Sequence, residues 1–297
     1  MFPFWKKNRS QYELLRDKWA TRHHEIQKAF LSRHKKSIRS ILQTSKEMTL
    51  GGMAGMLLLS TPVVLELPQN SVLQEQQAEF ESVDKSLFLV ADLERVLPKD
   101  YRVLNGNQEN VIEDILNREF GIKVKAELEN KRLERTFGYI GAEQHLMRYP
   151  GDTIDTHFES QEDYSKFLSS GMAPGRGAFG YFARSRAEMT QQDVLEEKYY
   201  IAVQTFRADG YNQRTREYVD FFKYRKMLVV NPKNGKAIVV VIGDAGPGIS
   251  TGKHLGGSPE VMRYLESKDG KLRDAVLFFF LDDPDNKVAL GPLEQKL

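Results

Sequence analysis

The chain has 297 residues, 28% charged and 40% hydrophobic, a balance that excludes wholesale disorder and a multi-spanning membrane protein. It contains no cysteine, which removes disulfide frameworks, thiolate catalysis and Cys-ligated zinc. The net charge of +2 conceals an asymmetry: residues 1–47 carry twelve Lys/Arg against four acids, or +8, and the remaining 250 residues carry 31 against 37, or −6.

Leu15, Trp19, Ile26, Phe30, Ile38 and Leu42 recur at helical spacing through the basic segment 1–47, which predicts an amphipathic helix lying against an anionic inner leaflet. A membrane neighbour accounts for the basic charge more simply than a nucleic acid, so no nucleic-acid partner is expected. Met48 to Leu65 then run eighteen residues without a charge, enough as a helix to span about 27 Å. Lys35, Lys36, Arg39 and Lys46 precede this run, and acids predominate after it. The positive-inside rule therefore predicts a transmembrane helix over 48–67, with the amino terminus cytoplasmic and the remainder extracytoplasmic at the cell membrane. A cleaved signal peptide and a core helix of a soluble protein are the alternatives. The polar stretch 68–85 reads as a linker.

Beyond it, Leu87 to Val96 and Val111 to Phe120 show helical spacing, and Gly121 to Leu128 alternates like a strand. Gly138 to Phe158 and Gly171 to Phe182 lack either period and are expected to be shaped loops. Residues 86–190 thus form a small α+β, loop-rich region. From 191 to 297 the pattern is β-rich. Lys198–Phe206, Lys226–Pro232, Lys236–Asp244 and Ala275–Asp283 read as strands, and Ser258-Pro259-Glu260 marks a helix start. The fold class expected is α+β, with an amino-terminal transmembrane helix and a carboxy-terminal six-stranded barrel.

The pieces Asn231, Asn234-Gly235, Asp244-Ala245-Gly246-Pro247, Thr251-Gly252-Lys253 and Ser258-Pro259 occur in an order that resembles double-psi β-barrel proteins of the rare-lipoprotein-A and expansin-like type. The resemblance covers about residues 198–297. It implies a barrel whose groove binds cell-wall polysaccharide and, in catalytic members, an Asp acting as acid/base on a glycosidic bond. Asp244 is the matching position, with His254 a possible helper and Lys253 beside the substrate. A lytic transglycosylase draws its nucleophile from a substrate hydroxyl, so one acid/base suffices. Residues 199–228 hold no His, and Gly257 stands where lytic members carry an Asp. A non-cleaving envelope protein that binds wall polymer or a protein partner therefore remains the alternative.

In the upstream loop, Glu143, His145, Asp152, Asp155 and His157 fall within fifteen residues. Glu143, His145, Asp152 and His157, with Arg176 among the glycines of the second loop, are assigned to substrate contact. No metal and no cofactor is assigned. A metal-dependent wall peptidase is the second alternative, and it would require His145, His157 and an acid to converge. The aromatics Tyr199, Tyr200, Phe206, Tyr211, Phe221 and Phe222 could stack on sugar rings, although core packing is the commoner use of such residues.

Overall fold

A computed structural model describes residues 86–99, 101–267 and 274–295, all within the unit Gln69–Leu297. The basic segment 1–47, the expected membrane helix 48–67 and the linker 68–85 lie outside the described residues. Among the described residues no helix is long and apolar enough to cross a membrane.

Two helices lead in, over residues 86–96 and Gly106–Phe120. The second begins five residues before its apolar period does, because Asn105 and Gln108 close a reciprocal capping box on its first turn. Gly121, in the left-handed region at φ 61°, ends it. The expected strand over Gly121–Leu128 is broken into β1 (Val124–Lys125) and β2 (Glu127–Leu128), the latter paired in a small hairpin with β3 (Lys131–Arg132).

A closed ring comes next. Its six strands are β4 (Phe137–Ala142), β5 (Tyr200–Val203), β6 (Lys226–Val230), β7 (Ala237–Ala245), β8 (Leu255–Gly257) and β9 (Asp274–Leu281). β4 pairs parallel with β8, β8 antiparallel with β5, β5 parallel with β7, and β7 antiparallel with β6. β6 and β4 each pair antiparallel with β9, which closes the circle. β1 extends the sheet from β9, and β10 (Gly291–Leu293) extends it from β7. This mixed six-stranded barrel on an α+β chain is the expected class, and its connectivity is compatible with a double-psi arrangement.

The ring takes β4 from the stretch that lacks strand periodicity, so the loop expected over Gly138–Phe158 is a strand for its first five residues. Glycine weakens strand propensity, and Gly138 and Gly141 hide the pattern for a packing reason. A Cβ at Gly138 would stand 2.8 Å from the His254 Cβ, and one at Gly141 would stand 2.6 Å from the Lys253 side chain. Side chains laid flat on β4 thus occupy the space a larger residue would need.

The continuous apolar runs of β6, β7 and β9 arise because both faces are covered. Met227, Val229, Ile238, Val240, Ile242, Val276, Phe278 and Phe280 share one core with Phe221 and Phe222. The alternate residues Leu228, Val230, Val239, Leu277, Phe279 and Leu281 pack with Leu89, Leu93, Ile112, Leu116 and Phe120 of the two leading helices. The helix Pro259–Leu265 starts as expected, with the Ser258 hydroxyl accepting the Val261 amide and Pro259 in the first turn.

One irregularity positions the site. Between β5 and β7, Ile201 pairs with Ile242 but Ala202 pairs with Asp244. Gly243 is therefore an extra residue, a bulge that re-aims the end of β7. It carries Asp244 off the Ile238–Val240–Ile242 core face and into one row with Ala202, Gly256 and Gly141. Gly243 has no room for a side chain, since its Cβ would sit 2.7 Å from the Tyr200 Cβ, and Tyr200 is 1% exposed. Gly243→Ala is expected to cost about 1–3 kcal/mol by overpacking. Chemical denaturation followed by circular dichroism checks this, and an unchanged midpoint would refute the assigned packing.

Candidate functional site

Two polar assemblies flank the glycine-rich arc of the barrel. The first is a half-exposed row on its wall. Glu143 immediately follows β4, and its carboxyl lies over Gly256, where a Cβ would overlap it. Lys253 lies over Gly141, donates from Nζ to the Ala142 carbonyl at 2.8 Å and approaches Glu143 Oε1 at 3.3 Å. Asp244 completes the row. Its Oδ1 accepts the amides of Ala178 at 2.6 Å and Ala245 at 2.8 Å, which ties the Gly171–Phe182 loop to the end of β7.

The protonation of Glu143 is set by these neighbours. Burial pushes its pKa up, the Lys253 ammonium draws it back, and the nearby Asp244 carboxylate adds to the rise, leaving it above the usual range. Glu143 therefore holds a proton more readily than a free glutamate while keeping part of its surface in water.

His254 Nδ1 accepts the Tyr139 amide at 2.9 Å, and its ring stacks against both Tyr101 and Tyr139, with centroids 5.1 and 5.5 Å away. Arg176 is exposed in the Gly171–Phe182 loop. Among the aromatics, Tyr200, Phe221 and Phe222 are buried in cores, Tyr199 and Tyr211 pack against one, and Phe206 is exposed.

The second assembly is buried. The loop after β4 supplies His145, Arg148 and Asp152, and the short helix Ile154–His157 supplies His157. Glu197 comes from the end of the helix Gln191–Lys198, and Glu260 from the start of Pro259–Leu265. Asp152 receives the Arg148 amide at 3.1 Å and guanidinium at 3.0 Å, and its Oδ2 meets His157 Nδ1 at 3.1 Å. The other ring nitrogen, Nε2, meets Glu197 Oε2 at 3.0 Å, and Glu197 Oε1 accepts the Leu146 amide at 2.9 Å. The rings of His145 and His157 are 4.6 Å apart.

Burial alone would discharge His157, but its bonds to Asp152 and Glu197 outweigh that and carry its pKa up to about 9. Burial likewise opposes ionisation of Glu197, and the His145 and His157 rings overcome it, bringing Glu197 down to about 2. Asp152 is held well below the usual carboxylate range against its own burial by His157 and Arg148. Glu260 goes the other way: burial, then the charge of Glu197, push it up to about 8.

The structure thus separates the residues assigned from sequence to substrate contact. Glu143 joins Lys253 and Asp244 on the barrel wall, whereas His145, Asp152 and His157 go inside, at 0%, 1% and 5% exposure. Asp155 stays exposed. Glu197 and Arg148 carry no motif, and Glu260 reads in sequence only as part of a helix start. Two of them sit in unrelated helices, and only folding brings them to the histidines. No protein family, curated protein or solved structure matches the chain.

Breaking the buried pairing should leave an uncompensated charge. Asp152→Asn is expected to destabilise the protein by about 3–5 kcal/mol, and the exposed Asp155→Asn to stay within about 0.5 kcal/mol. Paired denaturation curves test the contrast, and equal midpoints for the two variants would refute it.

Proposed function

We propose that the protein binds cell-wall glycan along the glycine-floored row of the barrel and cleaves it as a lytic transglycosylase, with Glu143 as the acid/base. The supporting observation is Glu143 itself: a partly exposed carboxyl whose pKa is raised by burial, with Lys253 3.3 Å away and the Asp244 carboxylate near enough to raise it further. This reading extends the resemblance to the rare-lipoprotein-A and expansin-like type. It moves the acid from Asp244 to Glu143, because Asp244 Oδ1 is committed to the backbone amides of Ala178 and Ala245.

The proposed chemistry balances with one group. Protonated Glu143 donates to the glycosidic oxygen as the C–O bond breaks, and the resulting carboxylate takes the proton from a hydroxyl of the same sugar as that oxygen attacks the anomeric carbon. The product is an anhydro sugar, water is not consumed, and Glu143 ends protonated. Lys253 keeps the carboxyl aimed over Gly256 and stabilises its transient anion. Asp244 holds the Gly171–Phe182 loop, with Arg176, over the polymer.

In the same proposal the charge asymmetry and the run 48–67 anchor the protein in the cell membrane with this domain outside. Wall polymer is the partner, met by shape and hydrogen bonding because the outer portion carries −6.

Incubating the purified full-length protein with purified wall glycan, and measuring both pelleting and released anhydro sugars, tests the reading. Glu143→Gln should lower release by about 10²–10⁴-fold while pelleting persists. Release by the wild type should decline as pH rises through the raised pKa of Glu143, because the acid then loses the proton it donates. Pelleting without release by the wild type would leave a wall-binding protein and sink the enzyme; neither pelleting nor release would sink both.

A further inference from the structure

His145 is the least satisfied group in the described structure. Its ring is completely buried, yet neither nitrogen has a hydrogen-bond partner. Its Nδ1 faces two carboxylate oxygens, Glu197 Oε1 at 3.5 Å and Glu260 Oε2 at 4.0 Å. Glu260 Oε2 is itself buried without a hydrogen-bond partner. Two unpaired buried polar atoms that face one another beyond bonding distance are costly, since each forfeits its hydration.

The separations suit a cation between them. Ligand atoms about 2.0–2.1 Å from a tetrahedral ion stand about 3.3 Å from one another; here His145 Nδ1 is 3.5 Å from Glu197 Oε1 and 4.0 Å from Glu260 Oε2, and His157 Nε2 is 3.0 Å from the other Glu197 oxygen, Oε2. Ligand atoms of His145, His157 and Glu197 all lie within 4.8 Å of one another. His157 has the outer support that metal-bound imidazoles usually have: Nδ1 is held by Asp152, which is in turn held by Arg148, so Nε2 is the nitrogen turned inward. Glu197 is aimed by the Leu146 amide. Phe158 and Phe167 stand edge-on against the His145 ring and keep water out.

We infer that His145, His157 and Glu197, whose ligand atoms converge, hold one divalent cation of the zinc class, with Glu260, its Oε2 4.0 Å from His145 Nδ1, closing the site as the fourth ligand. All four come from different segments, so the ion cross-links the loop after β4, the Ile154–His157 turn and the helices Gln191–Lys198 and Pro259–Leu265. His145 and His157 are 0% and 5% exposed and Glu197 is 2% exposed, which leaves no open position for substrate. The ion's role is structural, and the inference stands whether or not the barrel wall cleaves glycan.

The full-length protein, stripped by a chelator, is titrated with Zn²⁺ and separately with Co²⁺. One equivalent should bind per chain, with the intense visible bands of tetrahedral Co²⁺, and Tm should rise by about 5–10 °C at a hundredfold excess of free metal over Kd. His145→Gln and Glu260→Gln should each abolish or shift the Co²⁺ bands, while Asp155→Asn retains them. The wild-type titration decides the matter even if a variant fails to fold. No stoichiometric binding by the wild type would overturn the inference. So would Co²⁺ bands that persist unchanged in both His145→Gln and Glu260→Gln, because the ion would then sit elsewhere, for example at His23 and His24.

Discussion

The arc of the barrel from β4 through β8 and β5 to β7 depends on close approach, and glycine is what permits it. Gly141 and Gly256 stand in one row with Ala202 and Asp244, and the first two have no space for a Cβ because Lys253 and Glu143 already fill it. Gly243 plays the matching part on β7, where the wall is pressed against Tyr200. Larger residues at these positions would push the polar side chains away from the wall or separate the strands. The space left by these glycines therefore sets the carboxyl and the ammonium on the wall beside Asp244.

A different force shapes the loop behind the wall. From Glu143 to Phe158 the chain forms little regular structure, and apolar burial alone does not fix it. Arg148, Asp152, His157 and Glu197 fix it instead, in a chain of paired charges inside the protein. Such groups lose hydration on burial and recover it only through complete pairing, so they tolerate one geometry and penalise others. The two ring nitrogens of His145 and Oε2 of Glu260 are the atoms of this network that protein atoms leave without a hydrogen-bond partner. The wall row and the buried network are joined by the backbone, since Glu143 and His145 are separated by one residue. Rigidity inside the loop thereby bears on where Glu143 points.

Much of the barrel was legible in the sequence because its strands have ordinary causes. The runs 227–230, 237–242 and 275–281 are apolar throughout, as strands covered on both faces must be. Ser258 and Pro259 announced their helix by local capping chemistry. β4 was hidden because Gly138 and Gly141 answer to His254 and Lys253, residues more than a hundred positions away. The helix Thr215–Phe222 was likewise masked, although core packing, the commoner use of Phe221 and Phe222, is what Tyr218 and Phe280 provide.

The sequence by itself determined the features with local or periodic causes: the charge asymmetry, the helical and apolar strand segments, the Ser258-Pro259 helix start and the α+β class. It also drew attention to Glu143, His145, Asp152, His157, Asp244 and Lys253 as chemically unusual neighbours. Only the tertiary structure decided which of them face water. A loop without a period does not encode the direction of its side chains. That direction is imposed by distant partners, Gly256 for Glu143 and Glu197 for His157. The same limit governs proton affinity, which depends on burial and on neighbouring charge, so the raised pKa of Glu143 emerged only when the strands had closed around it.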